Sequence, residues 1–160
     1  MSHYADSSLL VSYYVNDASS PRAQALVHAI NGPLVFTGLH RLELRNALEL
    51  GVFRQLLTPA QSRAAWNNIE QDIRAGRLFP QPLNWVPVFR VAAQLAVRHS
   101  AGIGCRSLDI LHVAVARKMA ATEFLGFDGR QRFPGPSACS RHKWPADFHG
   151  PSPFGIKERP

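Results

Sequence analysis

The sequence predicts an α/β sandwich with a mainly parallel central sheet, and three observations carry that expectation. Short apolar runs such as "PLVFTGL" and "TEFLGFD" are separated by longer stretches whose apolar residues recur at helical spacing. Helix caps and stops, among them Ser-Pro, Thr-Pro, Asn-Gly and single glycines, punctuate the joins. At 160 residues, with 46% hydrophobic and 18% charged content, the chain suits one domain with a substantial core. Strands alternating with helices place helices on both faces of a sheet, which is a three-layer α/β/α arrangement.

The elements follow in order. A very short apolar lead-in before Asp6 is the first strand, and "SSLLVSYYVND" is a helix with Ser7 or Ser8 as N-cap, closed by Asn16-Asp17. Ser20-Pro21 opens a second helix over Arg22 to Ile30, ended by Asn31-Gly32. "PLVFTGL" is a buried strand ending near Thr37. From Leu39 to Leu57, the residues Leu39, Leu42, Ala47, Leu48, Val52 and Leu56 recur at helical intervals and predict one apolar face. Thr58-Pro59-Ala60-Gln61 combines an N-cap, an N1 proline and a capping-box Gln, so a new helix starts there and buries Ala65, Trp66, Ile69 and Ile73 until Gly76. "RLFPQPLNW" is turn-rich with room for an edge strand. Pro87 opens a helix carrying Phe89, Ala92, Ala93 and Ala96 on one side, Gly102 and Gly104 break it, and Ser107 caps "LDILHVAVARKMA". Thr122 to Asp128 has the aromatic and apolar content of a strand.

Composition narrows the class of function. No run of eighteen or more apolar residues is present to span a bilayer. The start, "MSHYADSS", has neither the basic nor the apolar region of a secretory signal, so the expected location is the cytoplasm. Cys105 and Cys139 are far apart, with no CxxC or metal-ligand spacing, and read as reduced thiols without an assigned role. Eighteen Lys and Arg against eleven Asp and Glu give a net charge of +7, which favours a polyanion such as nucleic acid. The plainer reading of that charge, an arginine-rich solvated surface, stands beside it.

Ligand sites in open α/β sheets lie outside the carboxyl ends of the strands. Asp6 ends the first strand and Asp128 the late one, so both belong to one rim. Glu43, in the first turns after "FTGLHR", and Asp109, in the first turn after Ser107, reach that rim if their helices start there. Four clustered carboxylates repel one another unless a cation sits among them, and a hard divalent ion compensates. Mg²⁺ or Mn²⁺ takes oxygen ligands and activates water for attack on a phosphodiester. Each acid also has a plainer explanation: Asp6 a turn residue, Asp109 a first-turn acid favoured by the helix dipole, Glu43 part of a solvated face, Asp128 half of an Asp-Gly turn.

"YADSSLL", then "LHRLELRNAL", then "RSLDILHVAVARKMAATEFLGFDGRQ" resemble the successive signature segments of PIN-domain proteins, most closely the VapC-like toxins of bacterial toxin–antitoxin pairs. The resemblance runs from about Tyr4 to Gln131 and rests on the order and spacing of the segments. It implies a PIN-like fold and endoribonuclease activity dependent on Mg²⁺ or Mn²⁺, with Asp6, Glu43, Asp109 and Asp128 as catalytic metal ligands. It further implies an RNA substrate, a cognate antitoxin protein covering the acidic pocket, and a homodimer. Ser7 matches the small hydroxyl residue that follows the first acid in similar proteins; it is expected either to bond a metal water or carboxylate, or to cap the helix. His112 reads as a packing histidine ahead of a general base, and Arg130 and Gln131 as local structure ahead of phosphate contact.

After Gln131 the resemblance stops. Residues 1–132 are the expected nuclease domain, and 133–160 carry Pro134, Pro136, Pro145, Pro151, Pro153 and Pro160, half of the chain's 12 prolines. That density predicts an irregular tail, with the family's final strand missing or altered. It fits either a frame shift near codon 133 or a native tail that wraps the domain or meets a partner. The expected alternative function is thus a catalytically impaired PIN-like module that binds RNA or antitoxin. A phosphatase of the haloacid dehalogenase type needs a second Asp two residues after the first, where this chain has Ser8.

Overall fold

A computed structural model describes residues 3–126 and 142–143. Among them the chain runs β1 (His3–Ala5), α1 (Ser7–Tyr14), α2 (Ser20–His28), β2 (Leu34–Phe36), α3 (Gly38–Phe53), α4 (Pro59–Arg74), β3 (Leu78–Pro80), α5 (Trp85–Ile103), α6 (Ser107–Lys118), β4 (Glu123–Leu125) and β5 (His142–Lys143). The strands form one sheet in the order β3-β2-β1-β4-β5. β1 pairs in parallel with β2 and with β4, and β2 with β3, while β5 runs antiparallel to β4. The chain winds outward from β1 to β3, then crosses back to lay β4 on the other side of β1. That reversal makes the carboxyl end of β1 a topological switch point, where such sheets open a crevice.

Alternation along the strands divides the core between two faces. Tyr4, Val35 and Phe124 point into one layer with Val88 and Leu95 of α5 and Ile110 and Val113 of α6. Ala5, Phe36 and Leu125 point into the other with Leu9 of α1, Leu44 and Leu48 of α3 and Ile69 of α4. The expected three layers are therefore present.

Several local expectations are corrected. Asp6, not Ser7 or Ser8, is the N-cap of α1, its Oδ1 accepting the Leu9 backbone N–H at 2.8 Å. Ser20 is the first residue of α2, which has no side-chain cap bond. Ser107 is likewise the first residue of α6, preceded by Arg106 at the N-cap. α3 ends at Phe53, short of Leu56, and it buries Leu39, His40, Leu44 and Leu48, while Leu42 is 68% exposed. That face differs from the expected one because α3 touches both core layers, Leu39 entering one and Leu44 the other. The capping box at Thr58 and Gln61 forms as read. Within the expected irregular tail, His142–Lys143 pairs with Glu123–Phe124, so the sheet takes in a short edge strand from beyond residue 132. The rest of the tail lies outside the described residues.

Candidate active site

The sheet order brings the ends of β1, β2 and β4 to one rim, and three helices begin there. Asp6 follows β1 directly, and its backbone N–H donates to the Leu125 carbonyl at 2.8 Å, tying it to the end of β4. The residue is 1% exposed, and its Oδ1 also accepts from Ser8 Oγ at 2.9 Å. The plain role of Asp6 as a cap is thus real, and it fixes the carboxylate at the switch point.

Ser7, relieved of capping, turns to α3. Its hydroxyl donates to Glu43 Oε2 at 2.7 Å and stands 3.2 Å from His112 Nε2. His112 Nε2 lies 2.5 Å from the same Glu43 oxygen. Glu43 is therefore half-buried where α1, α3 and α6 meet. Burial alone would raise its pKa, but the hydrogen bond from His112, the charge that ring carries when protonated, and the Ser7 hydroxyl outweigh it and hold the carboxyl below its ordinary value.

Asp109 lies one helical turn before His112 and is buried. Its Oδ2 accepts the Arg106 backbone N–H at 3.1 Å and the Arg106 Nε–H at 3.2 Å, so the acid closes the first turn of α6. Asp6, Glu43 and Asp109 are thus joined to one rim through their neighbours Ser7 and His112. Tyr4, just below, feels the charges of Glu43 and Asp6, though burial is the largest reason its pKa stands well above the ordinary value. Asp128, Arg130 and Gln131 lie outside the described residues.

The donor chemistry suits a hard divalent ion, since the three described acids offer carboxylate oxygens beside a rim closed by helix starts. Among the described residues, no hydrogen bond reaches Glu43 Oε1 or Asp109 Oδ1. Among those residues, no three His, Cys, Asp or Glu side chains already form a group able to hold a metal ion.

Two supporting residues escaped the sequence reading. His40 is fully buried at the start of α3, its Nδ1 taking the Thr37 N–H at 3.0 Å and its Nε2 bonding the Ala5 carbonyl at 2.8 Å. Tyr4 places its hydroxyl 2.8 Å from His112 Nδ1. The spacing Thr37-x-x-His40 carries the signal for the first, as a capping box with His in the place of Glu or Gln. His112 is a buried hydrogen-bonded junction rather than only a packing residue.

No protein-family model matches the sequence, and no curated protein matches it. Solved structures do match. One is Mycobacterium tuberculosis VapC20, a sarcin-ricin loop cleaving toxin, with a TM-score of 0.59 and 19% identity, covering 79% of this chain and 90% of that one. The chain therefore has the PIN-like α/β/α fold that its motifs lead one to expect. No helix among the described residues is long and apolar enough to cross a membrane.

Proposed function

We propose that this chain is a divalent-metal-dependent endoribonuclease, the toxin of a toxin–antitoxin pair. The observation that carries the reading is the junction of Ser7, Glu43 and His112, which draws three acid-bearing helix starts to the switch point of a VapC-like fold. Asp6, Glu43 and Asp109, with Asp128, would hold Mg²⁺ or Mn²⁺. When bound, the ion supplies Lewis acidity, making the hydrolytic water more acidic and offsetting phosphate charge. The chain's own residues do the placing: Asp6 is locked by its cap bonds, Asp109 by Arg106, and Glu43 by Ser7 and His112. The net charge of +7 favours an RNA substrate. The partners that go with this reading are a cognate antitoxin, a second copy of the chain in a homodimer, and no membrane, in the cytoplasm.

The test is cleavage of a labelled mixed RNA pool in Mg²⁺ or Mn²⁺, with EDTA and Asp6→Asn as parallel controls. Asn caps a helix about as well as Asp, so the substitution removes the charge while sparing α1. Cleavage abolished in both controls, with Asp6→Asn melting within about 1 kcal/mol of the parent, is the expected outcome. Folded, metal-loaded protein that cleaves no RNA would overturn the reading in favour of a binding module.

A further inference from the structure

The contact between His112 and Glu43 continues into the sheet. Tyr4 sits on β1 two residues before Asp6 and faces the layer under α6. Its hydroxyl is 2.8 Å from His112 Nδ1, and His112 Nε2 is 2.5 Å from Glu43 Oε2. A carboxylate oxygen only accepts, so at that separation Nε2 carries a proton and donates it. In the neutral ring Nδ1 then accepts from the Tyr4 phenol, which ordinarily stays protonated to about pH 10. The bonds run in one direction, from Tyr4 through His112 to Glu43.

Both supports are buried, Tyr4 completely and His112 at 3% exposure, and rings at 5.2 Å and 5.8 Å from His40 and Tyr4 hold the imidazole in place. Glu43, by contrast, is a long flexible side chain on the partly open rim. Ordering such a side chain when a ligand arrives costs affinity, and a prior hydrogen bond removes that cost.

We propose that Tyr4 and His112 are positioning residues that hold Glu43 by Oε2, so that Oε1 is the oxygen presented to a divalent cation; the proposal rests on the metal-dependent reading above. α6 then serves the site twice, carrying Asp109 and, one turn on, the support for the acid of another helix. Neither residue touches the reacting atoms.

The test is Mn²⁺ affinity of the full chain, measured by calorimetry with no RNA present, for the parent, His112→Leu, His112→Gln and Tyr4→Phe. Each is repeated on Glu43→Gln. Outer-shell supports of a metal ligand change affinity by about tenfold or more, so His112→Leu is expected to weaken Mn²⁺ about tenfold. His112→Gln, whose amide N–H extends toward the position of Nε2, is expected within about threefold of the parent, and Tyr4→Phe between the two. On Glu43→Gln none of the three is expected to weaken binding further, because the ligand they position is gone. Equal affinity of folded His112→Leu and parent overturns the proposal, as does an undiminished effect on Glu43→Gln. If His112→Leu does not fold, Tyr4→Phe decides, and parental affinity there overturns it. A parent that binds no Mn²⁺ defeats the metal-dependent reading itself, a result distinct from a parent that binds and a His112→Leu that binds as well.

Discussion

His40 joins two strand ends with one ring. Nε2–H donates to the Ala5 carbonyl at the end of β1, and Nδ1 accepts the Thr37 N–H at the end of β2. Both bonds are made by the neutral ring, whereas a protonated ring would turn a donor toward the Thr37 donor. Burial, then the repulsion His112 exerts when its ring is protonated, lowers the His40 pKa from 6.5 to about 3. The unfolded chain takes up that proton near pH 6.5 and the folded one only near pH 3, so the contribution is complete above 6.5 and is lost as pH falls toward 3. At pH 5 the loss is about 2 kcal/mol. Urea melts at pH 7.5 and pH 5 check this: the parent midpoint is expected to drop, and a His40→Leu chain, destabilised at both, to drop much less. Equal drops would show that other groups carry the dependence. Asp6 was legible as an acid that follows a strand, and Glu43 and Asp109 as acids in the early turns of helices; in the structure Ser7, next to Asp6, bonds Glu43, and Glu43 bonds His112, one turn after Asp109. His40 was legible only as a capping-box residue three after Thr37, with no sign of its bond to the Ala5 carbonyl, and Tyr4 was not legible at all, because nothing local tells a ring that bonds from one that only fills space.

At the scale of elements, what was legible was whatever is written locally. Thr58, Pro59 and Gln61 state the start of α4 in four residues, and the structure forms both bonds of that capping box. The buried faces were less legible, since periodicity marks a stripe without saying what covers it. Phe89, Ala92, Ala93 and Ala96 do share one side of α5, but that side lines an open apolar groove of about 830 Å³ with Leu42 and Leu108, and Phe89 is 58% exposed. The end of α5 is again local: Gly104 adopts φ +71, and its N–H bonds the Ser100 carbonyl at 2.8 Å. A side chain there meets no neighbouring atom within 4 Å, so the cost of Gly104→Ala is conformational alone. It is expected to be about 1 kcal/mol, read as a lower denaturation midpoint with the slope unchanged. A larger loss would mean that the turn into α6, and with it Asp109, depends on this residue for more than its φ.

For the whole molecule, the acids of the proposed site work against its proposed substrate. A rim bearing Asp6, Glu43 and Asp109 repels phosphates, so RNA has to be held by positive charge elsewhere on a chain of net charge +7. Arginines stand partly exposed on the flanks, each already paired with an acid: Arg41 and Arg45 lie over Trp66 and pair with Glu70 and Glu49, and Arg106, the N-cap of α6, pairs with Asp109. Whether they lie together does not follow from the sequence, because net charge is a sum and a binding groove is an arrangement. Salt separates the two. Each phosphate neutralised on a single strand contributes about 0.7 to the slope of log affinity against log salt, so about five contacts lower affinity about a hundredfold between 50 and 200 mM salt. Filter binding of labelled RNA to Asp6→Asn, which the reading makes inactive but folded, measures that slope without loss of substrate. A steep slope in Asp6→Asn is the expected outcome, and it means that several basic side chains neutralise phosphates of one bound strand together. A slope near zero would mean that the excess charge is dispersed over the surface, and RNA would then have to be recognised by a few contacts close to the rim.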